Sequence, residues 1–204
     1  MKPSAPAVGV DLDNTIICYD LAFHRAALDR GLIGPATPPL KTAVKNALLA
    51  SGGNQQWTEL QGHVYGPGLE AATPYPGVLD FFSACAARGI RAHIISHKTQ
   101  FAAAGPKYDL REAATAWLKA SGILDSRPHC DGHVIFTSTR AEKLETVRRL
   151  DCATLIDDLP EVFHDHSYPR CTDFILFDPA DSHPDWTATR RAKGWAEITA
   201  HFFP

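Results

Sequence analysis

The sequence predicts an α/β protein built on a doubly wound parallel sheet. Three observations support this prediction. Short apolar runs alternate with amphipathic helical patterns along most of the 204-residue chain, and alternating strands and helices form parallel sheets with right-handed crossovers. The apolar runs at residues 7–10 and 153–156 each end directly in acidic residues. One interval, residues 18–75, is too long for a single crossover and has helical patterns of its own.

The predicted strands are short runs of apolar, often β-branched residues, which is typical of strands that are covered on both faces. They lie at residues 7–10, 92–95, 134–136, 153–156 and 174–177. Helical patterns separate most of these strands, at residues 78–88, 109–120 and 140–150. Gly89 is placed to end the first of these helices, and Asp109 to cap the second.

The interval between the first two strands contains two helical patterns, at residues 21–30 and 40–49. Glycine- and proline-rich stretches at residues 66–68 and 74–77 predict the return of the chain to the sheet. We therefore expect two structural parts. The core comprises residues 1–17 and 76–204, and the mostly helical insert comprises residues 18–75.

The composition is that of an ordinary globular chain, with 45% hydrophobic residues and a formal charge of −3. No basic stripe is present that would follow a nucleic-acid backbone, so a nucleic-acid polymer is not an expected partner. No run approaches the roughly 18 apolar residues needed to span a bilayer, and the first residues lack the apolar centre of a signal peptide. We expect a cytoplasmic protein without a membrane partner.

The cysteines and histidines do not predict a metal centre. The five cysteines are an odd number without a CxxC pair, which favours free thiols over a disulfide framework. The groups His129, Cys130 and His133, and His164 and His166, lack a second half at the spacing of a zinc site. We expect these histidines to be structural or solvated.

The first predicted strand leads directly into Asp11 and Asp13. Alternation places both carboxylates on one side of an extended chain, at the strand end where α/β sheets bind ligands. A dianionic phosphomonoester repels a bare carboxylate unless a divalent cation lies between them, and Mg²⁺ prefers carboxylate and phosphate oxygens. We expect one carboxylate to form an aspartyl-phosphate, which water hydrolyses, and the other to act as acid and base.

Residues 11–15, with the sequence DLDNT, resemble the first motif of the haloacid dehalogenase (HAD) superfamily of phosphatases. Residues 91–96, an apolar strand ending in serine, are similar to the second motif. Lys143, near the start of a helical pattern, is similar to the third, and residues 154–158, an apolar strand ending in two aspartates, to the fourth. A lone DxDxT segment occurs by chance in many chains, but four motifs in this order are a specific match.

The resemblance implies a role for each matching residue. Asp11 is expected to be the nucleophile and Asp13 the acid and base. The expected phosphate ligands are Ser96, Lys143, Asn14 and Thr15. The expected metal ligands are Asp11, Asp13 through its backbone carbonyl, and Asp157 or Asp158, which the sequence does not rank. Glu161 either supports the metal or provides a favourable charge at the start of a helix.

In this family the interval between the first two motifs holds a mobile cap. The resemblance therefore implies that residues 18–75 form a small helical cap on a Rossmann-like core, which selects the leaving group and excludes water. Trp57 in this insert, and His97 and Lys98 after the second motif, are possible substrate contacts. Each has a structural alternative, since Trp57 can hold the cap to the core and Lys98 can lie in an exposed loop.

The predicted function is that of a magnesium-dependent phosphatase acting on a small phosphomonoester, such as a sugar phosphate or a nucleotide. Dehalogenase activity is disfavoured, because that branch of the family lacks the second acid that Asp13 supplies. A phosphotransferase or phosphomutase is the closest alternative. A non-catalytic phospho-acceptor module is more distant, since receiver domains place the acid pair before the acceptor aspartate. The sequence predicts neither the physiological substrate nor the oligomeric state.

Overall fold

The computed structural model describes residues 7–124, 133–186 and 190–204. Its strands are β1 (Ala7–Val10), β2 (Ile17–Cys18), β3 (Thr73–Pro74), β4 (Arg91–His97), β5 (Val134–Thr137), β6 (Cys152–Asp157), β7 (Asp173–Phe177) and β8 (Arg190–Ala192). Its helices are α1 (Asp20–Asp29), α2 (Lys41–Ala50), α3 (Asn54–Tyr65), α4 (Val78–Ala87), α5 (Leu110–Ala120), α6 (Arg140–Arg149), α7 (Pro160–Phe163) and α8 (Trp195–Phe202). A 3₁₀ helix (Pro67–Ala71) lies between α3 and β3.

Six of the described strands form one parallel sheet in the order β5-β4-β1-β6-β7-β8. Strand β1 is central and all of its residues are buried. The chain adds β4 and β5 on one side of β1, and then crosses to β6 on the other side. The strand order thus reverses beside β1, and α/β sheets bind ligands at the carboxyl ends of the strands at such a switch point.

Helices cover both faces of this sheet. The neighbouring residues Leu176 and Phe177 of β7 point to opposite faces, because side chains alternate along a strand. Leu176 belongs to the same buried cluster as Leu144 of α6, whereas the ring of Phe177 lies 5.8 Å from that of Trp195 in α8. The predicted doubly wound α/β fold, with a mostly helical insert after the first strand, is therefore confirmed.

The five predicted strands correspond to β1, β4, β5, β6 and β7, and the three predicted helices outside the insert correspond to α4, α5 and α6. Strand β8 and helix α8 were not predicted. Strand β8 has only three residues, two of which are arginines, so it contains no apolar run. It forms because β7 offers a free edge with which its backbone pairs.

The insert contains three α-helices, not the two that the sequence predicts. Helix α3 was missed because it is rich in polar residues and contains Gly62, which weakens a helical pattern. Its buried residues Trp57, Leu60 and Val64 nevertheless follow the helical period. Residues 66–68, where the sequence predicts part of the return to the sheet, contain the start of the 3₁₀ helix.

The chain divides into two compact units. The helical unit comprises Ile17–Thr73 and Lys98–Ser121, and the sheet unit comprises the rest. The second segment of the helical unit is a difference from the sequence analysis, which assigned residues 98–121 to the core. Its physical reason is local packing. Trp117 Nε1 donates a hydrogen bond of 3.0 Å to the Ala72 carbonyl, and a Cβ on Gly62 would lie 3.0 Å from Ala102 Cβ.

Among the described residues, none of the helices has both the length and the apolar character needed to cross a bilayer. Four cysteines in this part of the chain are free thiols: Cys18, Cys85, Cys152 and Cys171. His129 and Cys130, two members of the histidine and cysteine group considered above, lie outside the described residues. Of the other group, the His164 ring lies 5.0 Å from the Trp186 ring, and His166 is exposed.

Candidate active site

Two neighbouring strands bring the acidic residues together. Strands β1 and β6 pair in parallel with Val10 opposite Ile156, so the acids that follow emerge at the same edge of the sheet. The Asp11 amide continues the ladder by donating to the Ile156 carbonyl at 2.9 Å. Asp11 and Asp157 therefore lie side by side at the switch point of the sheet, where the motifs predict them.

Lys143 reaches these two acids from α6. Its Nζ lies 2.5 Å from Asp11 Oδ1 and 2.5 Å from Asp157 Oδ2. All three residues are buried, with exposed fractions of 2% for Lys143, 6% for Asp11 and 0% for Asp157. Removing such charges from water is costly, and opposite charges and hydrogen bonds must offset that cost. One ammonium group serves two carboxylates here, so the triad keeps a net negative charge when both acids are ionised.

The surroundings change the proton affinity of both partners. The pKa of Asp11 is raised to about 7, chiefly by burial and also by the charges of Asp157 and Asp13, against the opposing attraction of Lys143. Burial favours a lower pKa for Lys143, but the attraction of Asp11 and Asp157 outweighs it and the pKa is raised. Lys143 is therefore a permanent cation, whereas the surroundings of Asp11 favour its protonated form more than water does.

The structure distinguishes Asp157 from Asp158, which the sequence does not rank. Asp157 is fully buried and is not among the residues that line the neighbouring cavity; its Oδ2 accepts from Lys143 and its Oδ1 accepts from the Leu159 amide at 3.0 Å. Asp158 instead lines a cavity of about 90 Å³. Ligand oxygens of Asp11, Asp157 and Asp158 lie within 4.8 Å of one another. These three carboxylates are a donor set that suits a hard divalent cation.

Asn14 and Thr15, predicted to bind phosphate, both contact Asp158, and Asn14 also lines the cavity. Asn14 Nδ2 lies 3.2 Å from Asp158 Oδ2, and Thr15 Oγ1 lies 3.4 Å from Asp158 Oδ1. Asn14 adopts a left-handed backbone conformation with a φ of 60°, which asparagine tolerates better than most residues. Thr15 is fully buried. This geometry supports a role in orienting the Asp158 carboxylate.

The cavity brings together most of the residues that the motifs single out. Its lining includes Asp11, Asp13, Asp158, Lys143, His97 and Arg140. The sequence analysis missed Arg140. Arg140 precedes Lys143 by three residues, and residues three apart on a helix share a face. The sequence could therefore have predicted that Arg140 lies beside Lys143.

Ser96 lies near the carboxyl end of β4 and is 1% exposed. Its hydroxyl oxygen has no hydrogen-bond partner among the described residues. Leaving a buried hydroxyl unsatisfied costs about 1–3 kcal/mol, so such groups are few in folded proteins and need an explanation. A hydroxyl that donates to a bound ligand would provide one, and the phosphate-binding role predicted for Ser96 is of that kind.

The three predicted substrate contacts differ in their surroundings. His97 lines the cavity, and its Nε2 donates to the Ser138 carbonyl at 3.0 Å. Lys98 belongs to the helical unit, where it is 4% exposed and its ammonium lies 4.8 Å from the centre of the Tyr65 ring. The alternative that Lys98 is an ordinary lysine in an exposed loop is therefore wrong.

Trp57 is also in the helical unit, is 8% exposed and stacks on Phe23 at 5.0 Å. This packing supports a structural role within that unit. Glu161 lies in the first turn of α7 and is exposed. It is not part of the acidic group formed by the three aspartates.

No protein-family model matches the sequence, and no curated protein gives a significant match. Solved structures do match. A haloacid dehalogenase-like hydrolase, SP0104 from Streptococcus pneumoniae, aligns with a TM-score of 0.61 and 16% identity over 98% of this chain and 99% of that one. The HAD-hydrolase YfnB from Bacillus subtilis, bound to magnesium, aligns with a TM-score of 0.60 and 13% identity over 99% and 100%.

A HAD phosphatase from Thermococcus onnurineus aligns with a TM-score of 0.54 and 13% identity over 97% of this chain and 98% of that one. Enzymes described as dehalogenases also occur among the similar structures. The chain therefore has the fold of the HAD-superfamily hydrolases. The resemblance expected from the four motifs is confirmed at the level of the fold.

Proposed function

We propose that this protein is a magnesium-dependent phosphatase that hydrolyses a small phosphomonoester, such as a sugar phosphate or a nucleotide, through a phosphorylated Asp11. One observation carries the proposal. Lys143 holds the buried Asp11 and Asp157 at the switch point of the sheet, beside a cavity that Asp13 and Asp158 also line. This arrangement presents a nucleophile, an acid, a cation and metal-binding oxygens to one space.

The first step transfers the phosphoryl group to Asp11. Lys143 donates to Oδ1 of Asp11, an oxygen that keeps a further lone pair for a cation, and Oδ2 bonds to phosphorus while the bond between phosphorus and the ester oxygen breaks. The protonated Asp13 gives its proton to that ester oxygen, and the alcohol leaves. Splitting the displacement into two steps lowers the barrier of each, and Lys143 and the Ser96 hydroxyl stabilise the charge on the phosphoryl oxygens.

The second step restores the protein. Asp13, now a carboxylate, takes a proton from a water molecule as that water attacks phosphorus. The bond between phosphorus and Asp11 Oδ2 breaks, and inorganic phosphate leaves. Asp13 is again protonated and Asp11 again ionised, so one ester and one water give one alcohol and one phosphate.

The acidic residues fit a magnesium ion, because the donors are all oxygens and the group retains negative charge. We propose Asp11 and Asp158 as side-chain ligands, with the Asp13 backbone carbonyl as the further ligand expected from the motif. Asp157 holds Lys143 and the Leu159 amide and serves to position them. When bound, the ion supplies the positive charge that lets a carboxylate approach a dianionic phosphate.

Asp13 favours a phosphatase over a dehalogenase. A halide leaves without needing a proton, whereas an alkoxide is a poor leaving group unless an acid protonates it. Asp13 lines the same cavity as Asp11, and we assign it the role of that acid. We further propose that the helical unit selects the leaving group, which is the role that the resemblance gives to the insert.

The test is phosphate release with Mg²⁺ from a panel of sugar phosphates, nucleotides and an aryl phosphate. We expect release that EDTA abolishes, that Asp11→Asn removes, and that Asp13→Asn lowers by roughly 10²–10⁴-fold. Asp173→Asn is the matched control, because Asp173 is exposed in the same unit and the substitution changes charge equally. Full activity in Asp11→Asn would overturn the covalent route, and no release from any ester would overturn the phosphatase.

A further inference from the structure

We propose that Arg140 binds a second anionic group of the substrate, a carboxylate or a second phosphate close to the phosphoryl group. The inference deepens the proposed function, on which its catalytic meaning rests, by naming a class of substrate. Arg140 lines the same cavity as Asp11, Asp13 and Asp158. It is thus a cation on the wall of a cavity that is otherwise rich in carboxylates.

The two cations that line the cavity, Arg140 and Lys143, differ in their burial and in their ion pairs. Lys143 is buried and committed to Asp11 and Asp157 through contacts of 2.5 Å. Its role is internal, because it holds the nucleophile in place. Arg140 is exposed, and within the described part of the chain no carboxylate oxygen forms a salt bridge with its guanidinium. Its charge is therefore available to a ligand.

The charge of Arg140 acts on Asp165, an acid outside the cavity, and lowers its pKa. The pKa of Asp165 is lowered first by the side-chain and backbone hydrogen bonds from Ser167, and after these by the charges of His166 and Arg140. Asp165 Oδ1 receives both of those hydrogen bonds, at 2.6 Å and 2.9 Å. Asp165 therefore accepts its hydrogen bonds from within its own turn. No ion pair with Asp165 accounts for the position of Arg140.

The backbone holds Arg140 in position. It is the first residue of α6, and the preceding Thr139 caps that helix by accepting from the Glu142 amide at 3.1 Å. Arg140 and Lys143 are three residues apart and share a face of the helix. A guanidinium presents a planar pair of donors that matches a carboxylate or a phosphate with two parallel hydrogen bonds. The chemistry of Arg140 thus suits an oxyanion that lies beside the phosphoryl group.

The experiment measures binding, so that it does not depend on turnover. Methylphosphonate carries one anionic group, phosphonoacetate adds a carboxylate, and methylenediphosphonate adds a second phosphonate. The dissociation constant of each is measured by calorimetry in excess Mg²⁺ for the wild type, Arg140→Gln and Arg149→Gln. Arg149 is the matched control, because it is exposed on the same helix and the substitution removes the same charge.

We expect one of the two double anions to bind at least about tenfold more tightly than methylphosphonate, as a hydrogen bond between charged groups allows. The preference should persist in Arg149→Gln and disappear in Arg140→Gln. The tighter double anion identifies the second group as carboxylate or phosphate. Equal binding of all three ligands, no binding of any, or a preference that survives Arg140→Gln would each overturn the proposal.

These outcomes are distinct from those of the phosphatase test. Phosphate release without a preference for double anions supports the proposed function and removes the role of Arg140. A preference that depends on Arg140, without hydrolysis of any ester, supports the anion site and removes the phosphatase. For a hydrolysed double anion, Arg140→Gln should raise KM more than it lowers kcat, because Arg140 holds the part of the substrate that does not react.

Discussion

In the sheet unit, the buried Lys143 lies between two carboxylates, whereas in the helical unit two lysines lie against aromatic rings. The ammonium groups of Lys41 and Lys98 are 5.6 Å and 4.8 Å from the centre of the Tyr65 ring. Both arrangements stabilise a cation that is partly or fully buried. The first uses full opposite charges and the second uses, among other contacts, the negative faces of rings.

The difference indicates where the chemistry lies. Two carboxylates around one ammonium leave negative charge in a buried place, which is costly and does not increase stability by itself. Such an arrangement is typical of a site that must bind a cation or transfer a proton. Rings that stack on one another, as Phe23 and Trp57 do at 5.0 Å, bury apolar area and stabilise a fold. We therefore expect substitutions at the site in the sheet unit to remove activity, and substitutions of stacked rings in the helical unit to change stability alone.

The largest effect is expected for Lys143→Met, which keeps most of the volume and removes the charge. Asp11 and Asp157 then face each other in a buried place without a counter-ion, and breaking a buried pair costs about 3–5 kcal/mol. Chemical denaturation of the variant should show this loss of unfolding free energy, and phosphate release should disappear.

A double variant separates the two roles of Lys143. Lys143→Met with Asp157→Asn removes one of the two unpaired charges, so part of the stability should return while activity stays absent. Unchanged stability in Lys143→Met would show that the carboxylates are neutral in the folded protein. Recovery of activity in the double variant would show that Lys143 has no part in the reaction.

A smaller effect is expected for Trp57→Leu, which tests the other side of the comparison. Trp57 is 8% exposed and stacks on Phe23, so its loss should lower the free energy of unfolding by roughly 1–3 kcal/mol. The KM for a small ester should change little, since the contacts of Trp57 in the helical unit are structural. A large rise in KM with unchanged stability would instead support the substrate contact that the sequence analysis considered.

Those parts of the site that depend on local pattern could be predicted from the sequence. Asp11 and Asp157 each follow an apolar strand, and parallel strands end at one edge of the sheet, so a one-dimensional pattern is enough to bring them together. Lys143 required the resemblance, because a lysine in an amphipathic helix is ordinary by itself. The structure brings all three within hydrogen-bond distance.

Features that depend on packing could not be predicted. The partner of Asn14 and Thr15 is Asp158, more than 140 residues away along the chain, and no local pattern indicates that contact. The assignment of residues 98–121 to the helical unit depends on close approach at Gly62. The sequence shows that glycine only as an interruption of a helix. Local rules predict where strands end, but not which helices pack on one another.

The smallest expected effect concerns His93, a buried titratable group. Lys143 is buried as a cation, whereas the protein buries His93 in its neutral form. His93 of β4 is 1% exposed, and burial lowers its pKa below the usual 6.5, as do the charges of Arg91 and His133. The His133 amide donates to His93 Nδ1 at 3.3 Å, so the proton of the neutral ring is on Nε2. No described residue accepts a hydrogen bond from Nε2.

This arrangement sets the sign of a pH effect. Below pH 6.5 the unfolded chain binds a proton at His93 that the folded protein excludes, so stability is lost as the pH falls from about 6.5 towards the lower pKa of the folded state. His93→Gln keeps an acceptor for the His133 amide but does not titrate, so its unfolding free energy should fall less between pH 7 and pH 5. His166→Gln, at a side chain that is 99% exposed, should behave as the wild type does. If the wild type and His93→Gln lose stability equally over this range, the protonated ring is tolerated in the sheet. Pairing with opposite charge, as at Lys143, would then not be the only way in which this unit accommodates a buried cation.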